Sequence, residues 1–247
     1  MTKTILVTGG SRGIGRSTAI LAGRMGWSVA VNYAGNKAAA DEVVAAIADA
    51  GGKARAIRGD VSVEADVVSM FEQASELGKL DGVVVNAGIV APASKLMDMD
   101  TARMRRIFDV NVFGAYLCAR EAVRHLARSR GGKGGSIVLL SSAAARIGGP
   151  NEYVDYAGSK GAMDTLAIGL SKEVGPEGIR VNAIRPGLIE TEIHASGGQP
   201  DRAQRLGVTA PLGRAGTADE VGEAIVWLLS DASSYVTGSL LDVTGGR

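Results

Sequence analysis

The chain has 247 residues, of which 35 are glycine and only 6 are proline, and its 27 basic and 26 acidic residues leave a net charge of +1. A charge so close to zero, with aromatic residues at 4%, does not favour binding to nucleic acid. No apolar run approaches the roughly 20 residues that span a bilayer, and a single cysteine, Cys118, with no signal peptide favours the reducing cytoplasm.

Short runs of mainly aliphatic residues alternate along the chain with longer segments of helical spacing. The predicted strands lie at 4–8, 28–32, 53–58, 82–86, 136–141, 179–184 and 239–243. The predicted helices lie at 14–25, 36–50, 63–77, 100–128, 154–174 and 217–229. This alternation predicts an α/β fold with a doubly wound parallel sheet of about seven strands and helices on both faces. No linker divides the chain, so residues 1–247 are predicted to form one domain. The least regular stretch, 186–211, is long enough to be a mobile segment over a site.

A glycine-rich loop lies between the first predicted strand and the first predicted helix. It reads Thr8-Gly9-Gly10-Ser11-Arg12-Gly13-Ile14-Gly15. Glycine at this place allows a tight turn and lets backbone approach a phosphate, which the free N–H groups and the dipole of the following helix attract. The loop is therefore a candidate phosphate-binding site, and its simpler interpretation is an ordinary tight turn.

Three known motifs compete for this loop. Gly9 to Gly13 fits the G-x-S-x-G elbow of hydrolases, but neither His125 nor His194 has an obvious acidic partner in the sequence. Gly10 to Ser17 approaches a P-loop, yet Arg16 stands where that loop requires lysine. The dinucleotide-binding form T-G-x-x-x-G-x-G is matched at all four defining positions, so we prefer it.

A tyrosine and a lysine stand four residues apart on the helix predicted at 154–174. This spacing puts Tyr156 and Lys160 on one helix face. An ordinary tyrosine has a pKa of about 10, and a nearby ammonium lowers it toward the range in which protons exchange at neutral pH. The pair is a candidate acid–base couple for a carbonyl–alcohol reaction. Taken alone, it also fits a surface tyrosine lying over a lysine stem.

The loop and the pair, together with further motifs in order, resemble the short-chain dehydrogenase/reductase family over nearly the whole chain. These motifs are Asp60-Val61 after the third strand, Asn86-Ala87-Gly88 after the fourth, Asn111 in the long helix, Ser141-Ser142 after the fifth, and Pro186-Gly187 with Thr191 after the sixth. The resemblance implies a Rossmann fold, a nicotinamide cofactor, and hydride transfer between that cofactor and a carbonyl or secondary alcohol. Both 3-oxoacyl carrier-protein reductases and sugar dehydrogenases, such as glucose dehydrogenase, share these motifs.

The resemblance also assigns residues to roles. In the catalytic set, Tyr156 exchanges the substrate proton, Lys160 lowers the pKa of Tyr156 and binds the nicotinamide ribose, Ser142 polarises the carbonyl, and Asn111 holds a relay water. The implied cofactor-binding set is Thr8, Gly9, Ser11, Arg12, Gly13, Ile14, Gly15, Asn32, Tyr33, Asp60, Val61, Asn86, Ala87, Gly88, Tyr156, Lys160, Pro186, Gly187, Ile189 and Thr191. No metal site is implied.

The distance along the chain between the serine and the tyrosine departs from the family pattern. Ser142 precedes Tyr156 by one residue more than the serine does in many members, and we expect the extra residue within 149–155. Ser142 remains the preferred candidate, with Ser141 as the alternative. Tyr153 is not a catalytic candidate, because four positions later the chain has Ala157 and not lysine. We expect Tyr153 to line the substrate pocket or to pack.

The residues after the second strand bear on the choice of cofactor. NAD-binding proteins usually carry Asp or Glu there, to bind the ribose 2′-hydroxyl, and this chain has Asn32 and Tyr33. With no acid to repel a 2′-phosphate, Arg12 and Lys37 could pair with it. NADP(H) is therefore the expected cofactor, with NAD(H) as the alternative. In the simpler interpretation, both cations are solvated surface charges.

The expected function is that of an NADP-dependent enzyme acting on a small carbonyl or alcohol substrate. The alternative is a non-catalytic, NADP-binding regulatory or scaffold protein of the same fold, which the intact catalytic set disfavours. Segment 187–211 shapes the substrate pocket in this family, so the identity of the substrate stays open.

Family members are usually tetramers, and small residues spaced along 158–169 would allow close helix packing. A homotetramer is therefore expected, with no membrane and no nucleic-acid partner.

Overall fold

The computed structural model describes residues 2–247, and a parallel sheet of seven strands lies at its centre. The strands in chain order are β1 (Thr4–Val7), β2 (Ser28–Tyr33), β3 (Lys53–Arg58), β4 (Gly82–Val85), β5 (Gly135–Leu140), β6 (Ile179–Pro186), β7 (Ile189–Glu190), β8 (Gly216–Thr217) and β9 (Leu240–Val243). In space the sheet runs β3-β2-β1-β4-β5-β6-β9, and each neighbouring pair is parallel. The two-residue strands β7 and β8 pair separately. The predicted fold class is confirmed.

Helices cover both faces of this sheet. In chain order they are α1 (Gly13–Arg24), α2 (Lys37–Asp49), α3 (Glu64–Ser75), α4 (Thr101–Phe108), α5 (Ala115–Leu126), α6 (Ala144–Ile147), α7 (Val154–Val174), α8 (Ile193–Ser196), α9 (Arg202–Gly207) and α10 (Ala218–Leu229). None of the helices within residues 2–247 is both long enough and apolar enough to cross a membrane.

Alternation along the strands produces two separate hydrophobic cores. In β1, Leu6 points to a core that also contains Phe71 of α3 and Met163 of α7. Its neighbours Ile5 and Val7 point to the opposite core, which α1, α2 and α10 cover. Strands β1, β2 and β4 are buried along their whole length, so their sequences are mainly continuous apolar runs, whereas the edge strands β3 and β9 are partly exposed.

The long helix predicted at 100–128 is wrong as one element. The chain forms α4, then a π-helical turn at Asp109–Gly114, and then α5. The turn packs closely against the loop after β3, because a side chain on Gly114 would lie 2.9 Å from the backbone of Val61. The π-helical turn is only six residues long, which is too short for the periodicity of the sequence to reveal it.

The irregular stretch predicted at 186–211 also contains elements that the sequence did not indicate. It holds β7, α8 and α9, and β7 pairs with β8 through Ile189 and Gly216. These elements are short, and short elements leave too few residues for a pattern to show.

The strand order reverses between β1 and β4, which lie side by side although two strands separate them in sequence. Thr8, just after β1, joins their carboxyl ends: its hydroxyl accepts hydrogen bonds from the backbone N–H groups of Asn86 at 2.9 Å and Ala87 at 3.0 Å. In open α/β sheets such a reversal leaves a crevice at the carboxyl ends of the strands, where ligands bind. Both cavities described below open at this edge.

Candidate active site

Three positions of the glycine-rich loop, Gly9, Gly13 and Gly15, disfavour any side chain. Gly9 and Gly13 adopt φ angles of +61° and +52°, which favour glycine. A Cβ atom on Gly15 would collide with the carbonyl oxygen of Gly9 and would lie 2.5 Å from Nδ2 of Asn86. At its glycine positions the loop therefore presents bare backbone to the crevice.

Helix α1 begins directly from this loop with its amino end uncapped. Arg12 precedes it in extended backbone, no side chain caps the helix, and its first turn carries no acidic residue. The N–H groups of the first turn and the positive end of the helix dipole are thus available to an anion. A backbone cradle at such a helix end fits the pyrophosphate of a dinucleotide.

A groove of about 660 Å³ runs from this loop toward the ends of β2 and β3. Of the predicted cofactor-binding residues, it is lined by Gly9, Ser11, Arg12, Gly13, Ile14, Asn32, Tyr33, Asp60, Val61, Asn86, Ala87, Gly88 and Thr191. Thr8 and Gly15, at the two ends of the loop, are buried and do not line the groove. Several other residues that line the groove were not predicted from the sequence, among them Asn36, Glu42, Arg106 and Glu192.

Asn32 contributes to the groove by holding backbone. Its Oδ1 accepts the N–H of Gly9 at 3.0 Å, and its Nδ2 donates to the carbonyl of Gly59 at 3.0 Å. The buried amide thereby ties the glycine loop to the end of β3. An aspartate here could not make the second bond, so the amide has a structural use besides the absence of charge.

The two cations considered for a 2′-phosphate are placed differently. Arg12 is exposed and lines the groove. Lys37 is not among the lining residues, and its Nζ lies 2.6 Å from a carboxylate oxygen of Asp41. Glu42, on α2, also lines the groove and opposes an anion there. The interpretation of Lys37 as a surface charge therefore agrees with its position.

A second cavity of about 210 Å³ adjoins the groove and shares Ile14, Asn86, Gly88, Thr191 and Ile193 with it. The predicted residues from the second half of the chain meet here: Ser142, Tyr156, Lys160, Pro186, Gly187 and Ile189 line this cavity. Motifs spread along the chain thus converge where the groove meets the cavity.

Within the cavity, the side chains of Ser142 and Tyr156 lie next to each other. Nζ of Lys160 lies 5.6 Å from the centre of the Tyr156 ring and donates to the carbonyl of Leu140 at 2.6 Å. Burial raises the pKa of Tyr156 above its usual value, and the side chain of Ser142 opposes that rise. Desolvation therefore prevails at Tyr156 in the chain alone, and the expected lowering of its pKa by Lys160 is not seen.

The charge of Lys160 is itself disfavoured by its surroundings. Burial lowers the pKa of Lys160 to about 8, and the carboxylate of Asp164, one helical turn later, opposes the shift. Asp164 in turn accepts from Nε and Nη2 of Arg185 at 3.1 and 2.8 Å. A lysine with such a pKa can hold or release a proton near neutral pH.

The two serines at the end of β5 have different surroundings. The buried hydroxyl of Ser141 donates to the carbonyl of Lys160 at 3.0 Å and so joins β5 to α7. Ser142 is half-buried and faces Tyr156. The structure thus favours Ser142. The segment 149–155, where the extra residue is expected, overlaps a turn at 148–153 in which Gly148, Gly149 and Asn151 have positive φ angles.

Asn111 lies in the π-helical turn and lines neither cavity. Its Oδ1 accepts from the N–H of Ile89 at 2.8 Å, and its Nδ2 donates to the carbonyl of Ile89 at 2.9 Å and to Oγ of Ser159 at 3.1 Å. A Cβ atom on Gly88 would lie 3.4 Å from Oδ1 of Asn111 and 3.5 Å from Nζ of Lys160. Asn111 therefore fixes the backbone after β4 against the helix that carries Tyr156.

Part of the cavity wall was not predicted. Tyr153 lines it as expected, and its hydroxyl accepts from Nε2 of Gln199 at 2.8 Å. His194 also lines it, with Nε2 2.9 Å from the carbonyl oxygen of Ile189. Arg202 and Arg247 had no signal in the sequence, because only the fold brings α9 and the residues after β9 to this place.

Comparison with known proteins agrees with this arrangement. The family model described as enoyl-(acyl carrier protein) reductase matches residues 9–247. The chain is 53% identical over 243 residues to an uncharacterized oxidoreductase of Escherichia coli (strain K12), YgfF, covering 98% of each chain. It is 39% identical to the L-rhamnose 1-dehydrogenase (NAD(P)(+)) of Sphingomonas sp. (strain SKA58), covering 99% of this chain and 95% of the relative.

A solved structure extends the similarity to three dimensions. A short-chain type dehydrogenase/reductase from Mycobacterium marinum superposes with a TM-score of 0.92 at 37% identity, covering 99% of this chain and 94% of that one. Fold, motif order and relatives agree over almost the entire length. The chain belongs to the short-chain dehydrogenase/reductase family of oxidoreductases.

Proposed function

We propose that the protein is an NADP(H)-dependent oxidoreductase that interconverts a carbonyl and a secondary alcohol, with Tyr156 as general acid and base. The observation that carries this proposal is that Ser142, Tyr156 and Lys160 line one cavity, with Nζ of Lys160 5.6 Å from the centre of the Tyr156 ring, where that cavity adjoins the groove. A non-catalytic binding protein would not need a buried lysine of lowered pKa beside a tyrosine at that junction.

Each residue has a distinct task in the proposed reaction. Tyr156 gives its phenolic proton to the substrate oxygen in reduction and takes a proton from the alcohol in oxidation. Ser142 donates a hydrogen bond to the same oxygen and polarises it. Lys160, when charged, favours the phenolate that remains on Tyr156. Asn111 keeps Gly88 and α7 in register. A bound nicotinamide supplies or accepts the hydride.

The proposal is tested by following NADPH absorbance with a panel of ketones, aldoses and 3-oxoacyl thioesters, and, in the other direction, NADP⁺ with alcohols and sugars. Turnover of at least one carbonyl–alcohol pair is the expected result. NADPH binding without turnover of any class would favour the regulatory or scaffold alternative.

We also propose that NADP(H) is preferred over NAD(H), and we expect Arg12→Ala to remove the preference. A charged hydrogen bond to a phosphate contributes about 1.5–3 kcal/mol, or about 10-fold to 100-fold in kcat/KM. Arg12→Ala should cause this loss with NADPH and leave kcat/KM with NADH nearly unchanged.

The matched control is Lys37→Ala, because Lys37 pairs with Asp41 and does not line the groove. Lys37→Ala should leave kcat/KM unchanged with NADPH and with NADH. A wild-type enzyme that uses NADH as well as NADPH, or an Arg12→Ala variant that keeps its preference, would contradict the assignment.

We further propose that residues 1–247 act as one domain in a cytoplasmic homotetramer. Exposed apolar side chains support an assembly: Phe108, Phe113 and Tyr116 follow one another along α4, the π-helical turn and α5 with 44%, 54% and 43% of their surface exposed. Gly158, Gly161 and Gly169 of α7 leave room for a second helix. Light scattering is expected to give four times the chain mass, and a monomer would exclude the assembly.

A further inference from the structure

The cavity beside Tyr156 is lined by cations and not by acids. Lys160, Arg202 and Arg247 line it, together with His194, and no Asp or Glu is among its lining residues. Much of the remaining wall is apolar, from Val90, Ile147, Leu188 and Ile193 among others. In such surroundings of low dielectric, excess positive charge attracts an anion more strongly than it would in water.

Two of these cations already have partners within the chain. Nζ of Lys160 donates to the carbonyl of Leu140. Arg202 pairs with both carboxylate oxygens of Glu152, at 2.9 and 2.6 Å, and its guanidinium lies 5.0 Å from the centre of the Tyr153 ring. Nη1 and Nη2 of Arg202 are thus both bound to Glu152, and they are not free to bind a second carboxylate in the same bidentate way.

Arg247 differs from them. Its Nη1 is buried and has no hydrogen-bond partner among residues 2–247. Its backbone carbonyl accepts from Nη2 of Arg146 at 2.9 Å, which holds the residue between this cavity and a neighbouring cleft. A buried donor of a charged group without an acceptor costs more free energy than an ordinary unmade hydrogen bond. The site is therefore incomplete until an acceptor arrives.

We infer that the substrate carries a carboxylate, which Arg247 binds while the reacting carbonyl meets Ser142 and Tyr156. The inference rests on the proposed function and narrows its substrate class to oxo acids and hydroxy acids with an apolar body. Neutral sugars and acyl thioesters lack the group that Arg247 would pair with.

The test compares oxo acids with their own methyl esters, which keep the carbonyl and the apolar body but lose the charge. Benzoylformate and 4-oxopentanoate place the carboxylate at different distances from the ketone. Binding of each acid and each ester to the enzyme saturated with NADP⁺ is measured by calorimetry, and turnover is measured separately with NADPH. We expect at least one acid to bind about 10-fold to 100-fold more tightly than its ester.

Arg247→Gln should reduce this ratio of acid to ester toward one, and Arg130→Gln, on the exposed turn at Arg128–Arg130, should keep it. Equal binding of acids and esters, no binding of either acid, or an unchanged ratio in Arg247→Gln would overturn the inference. An equal loss of turnover with acid and ester, together with weaker binding of NADPH, would assign Arg247 to the cofactor instead. Acid binding without any turnover would refute the proposed function and leave the carboxylate site standing.

Discussion

Tyr156→Phe is expected to lower kcat by about 10²-fold to 10⁴-fold, the contribution typical of general acid–base catalysis. The substitution removes one hydroxyl, beside Ser142, and keeps the ring that packs beside Lys160. NADPH binding, followed by fluorescence, should remain at the wild-type level, because the glycine loop and the groove do not depend on that hydroxyl.

Tyr153→Phe is the matched control for this variant. Tyr153 lines the same cavity, three residues earlier, but its hydroxyl is bonded to Gln199 and not to Ser142. It should retain turnover of the same order as the wild type. Full activity in Tyr156→Phe, or an equal loss in both variants, would show that the proton is exchanged elsewhere.

Gly15→Ala is expected to abolish NADPH binding and to destabilise the fold. The added Cβ atom would meet the backbone carbonyl of Gly9 and the Nδ2 of Asn86, and neither can move without opening the loop. Overpacking of this kind costs about 1–3 kcal/mol of unfolding free energy. Thermal unfolding and NADPH fluorescence report the two effects.

Gly175→Ala, at the exposed and helical carboxyl end of α7, provides the comparison. A Cβ atom there meets nothing within 4 Å. Alanine in a helix should leave stability unchanged or raise it by up to about 1 kcal/mol, with NADPH binding intact. Wild-type NADPH affinity in Gly15→Ala would show that the loop does not cradle the cofactor.

The sequence was most informative about the sheet. Buried parallel strands are continuous apolar runs, so Thr4–Val7 and Gly82–Val85 could be recognised from local pattern alone. The π-helical turn around Asn111 could not, because its wide turn is stabilised by contacts with Val61 and Ile89, which are distant in sequence. Local propensity gives no account of such contacts.

The residues of the candidate site likewise differ in whether local sequence patterns predict them. The glycine loop and the pair of Tyr156 and Lys160 are local motifs whose spacing already carries their geometry. Arg202 and Arg247 reach the cavity only through the packing of α9 and of the residues after β9, so no spacing predicts them. The balance of pKa shifts at Tyr156 likewise depends on burial, which only the fold reveals.

The turn at 148–153 bears on how this enzyme family can diversify. Ser142 is fixed by β5, while Tyr156 is fixed by α7, and the bonds from Ser141 to the Lys160 carbonyl and from Lys160 to the Leu140 carbonyl lock strand and helix together. The length of chain between the two residues therefore does not set their separation. Insertions in the turn can reshape the wall near Tyr153 while Ser142 and Tyr156 keep their places, so under the proposed mechanism substrate range can evolve independently of the chemistry.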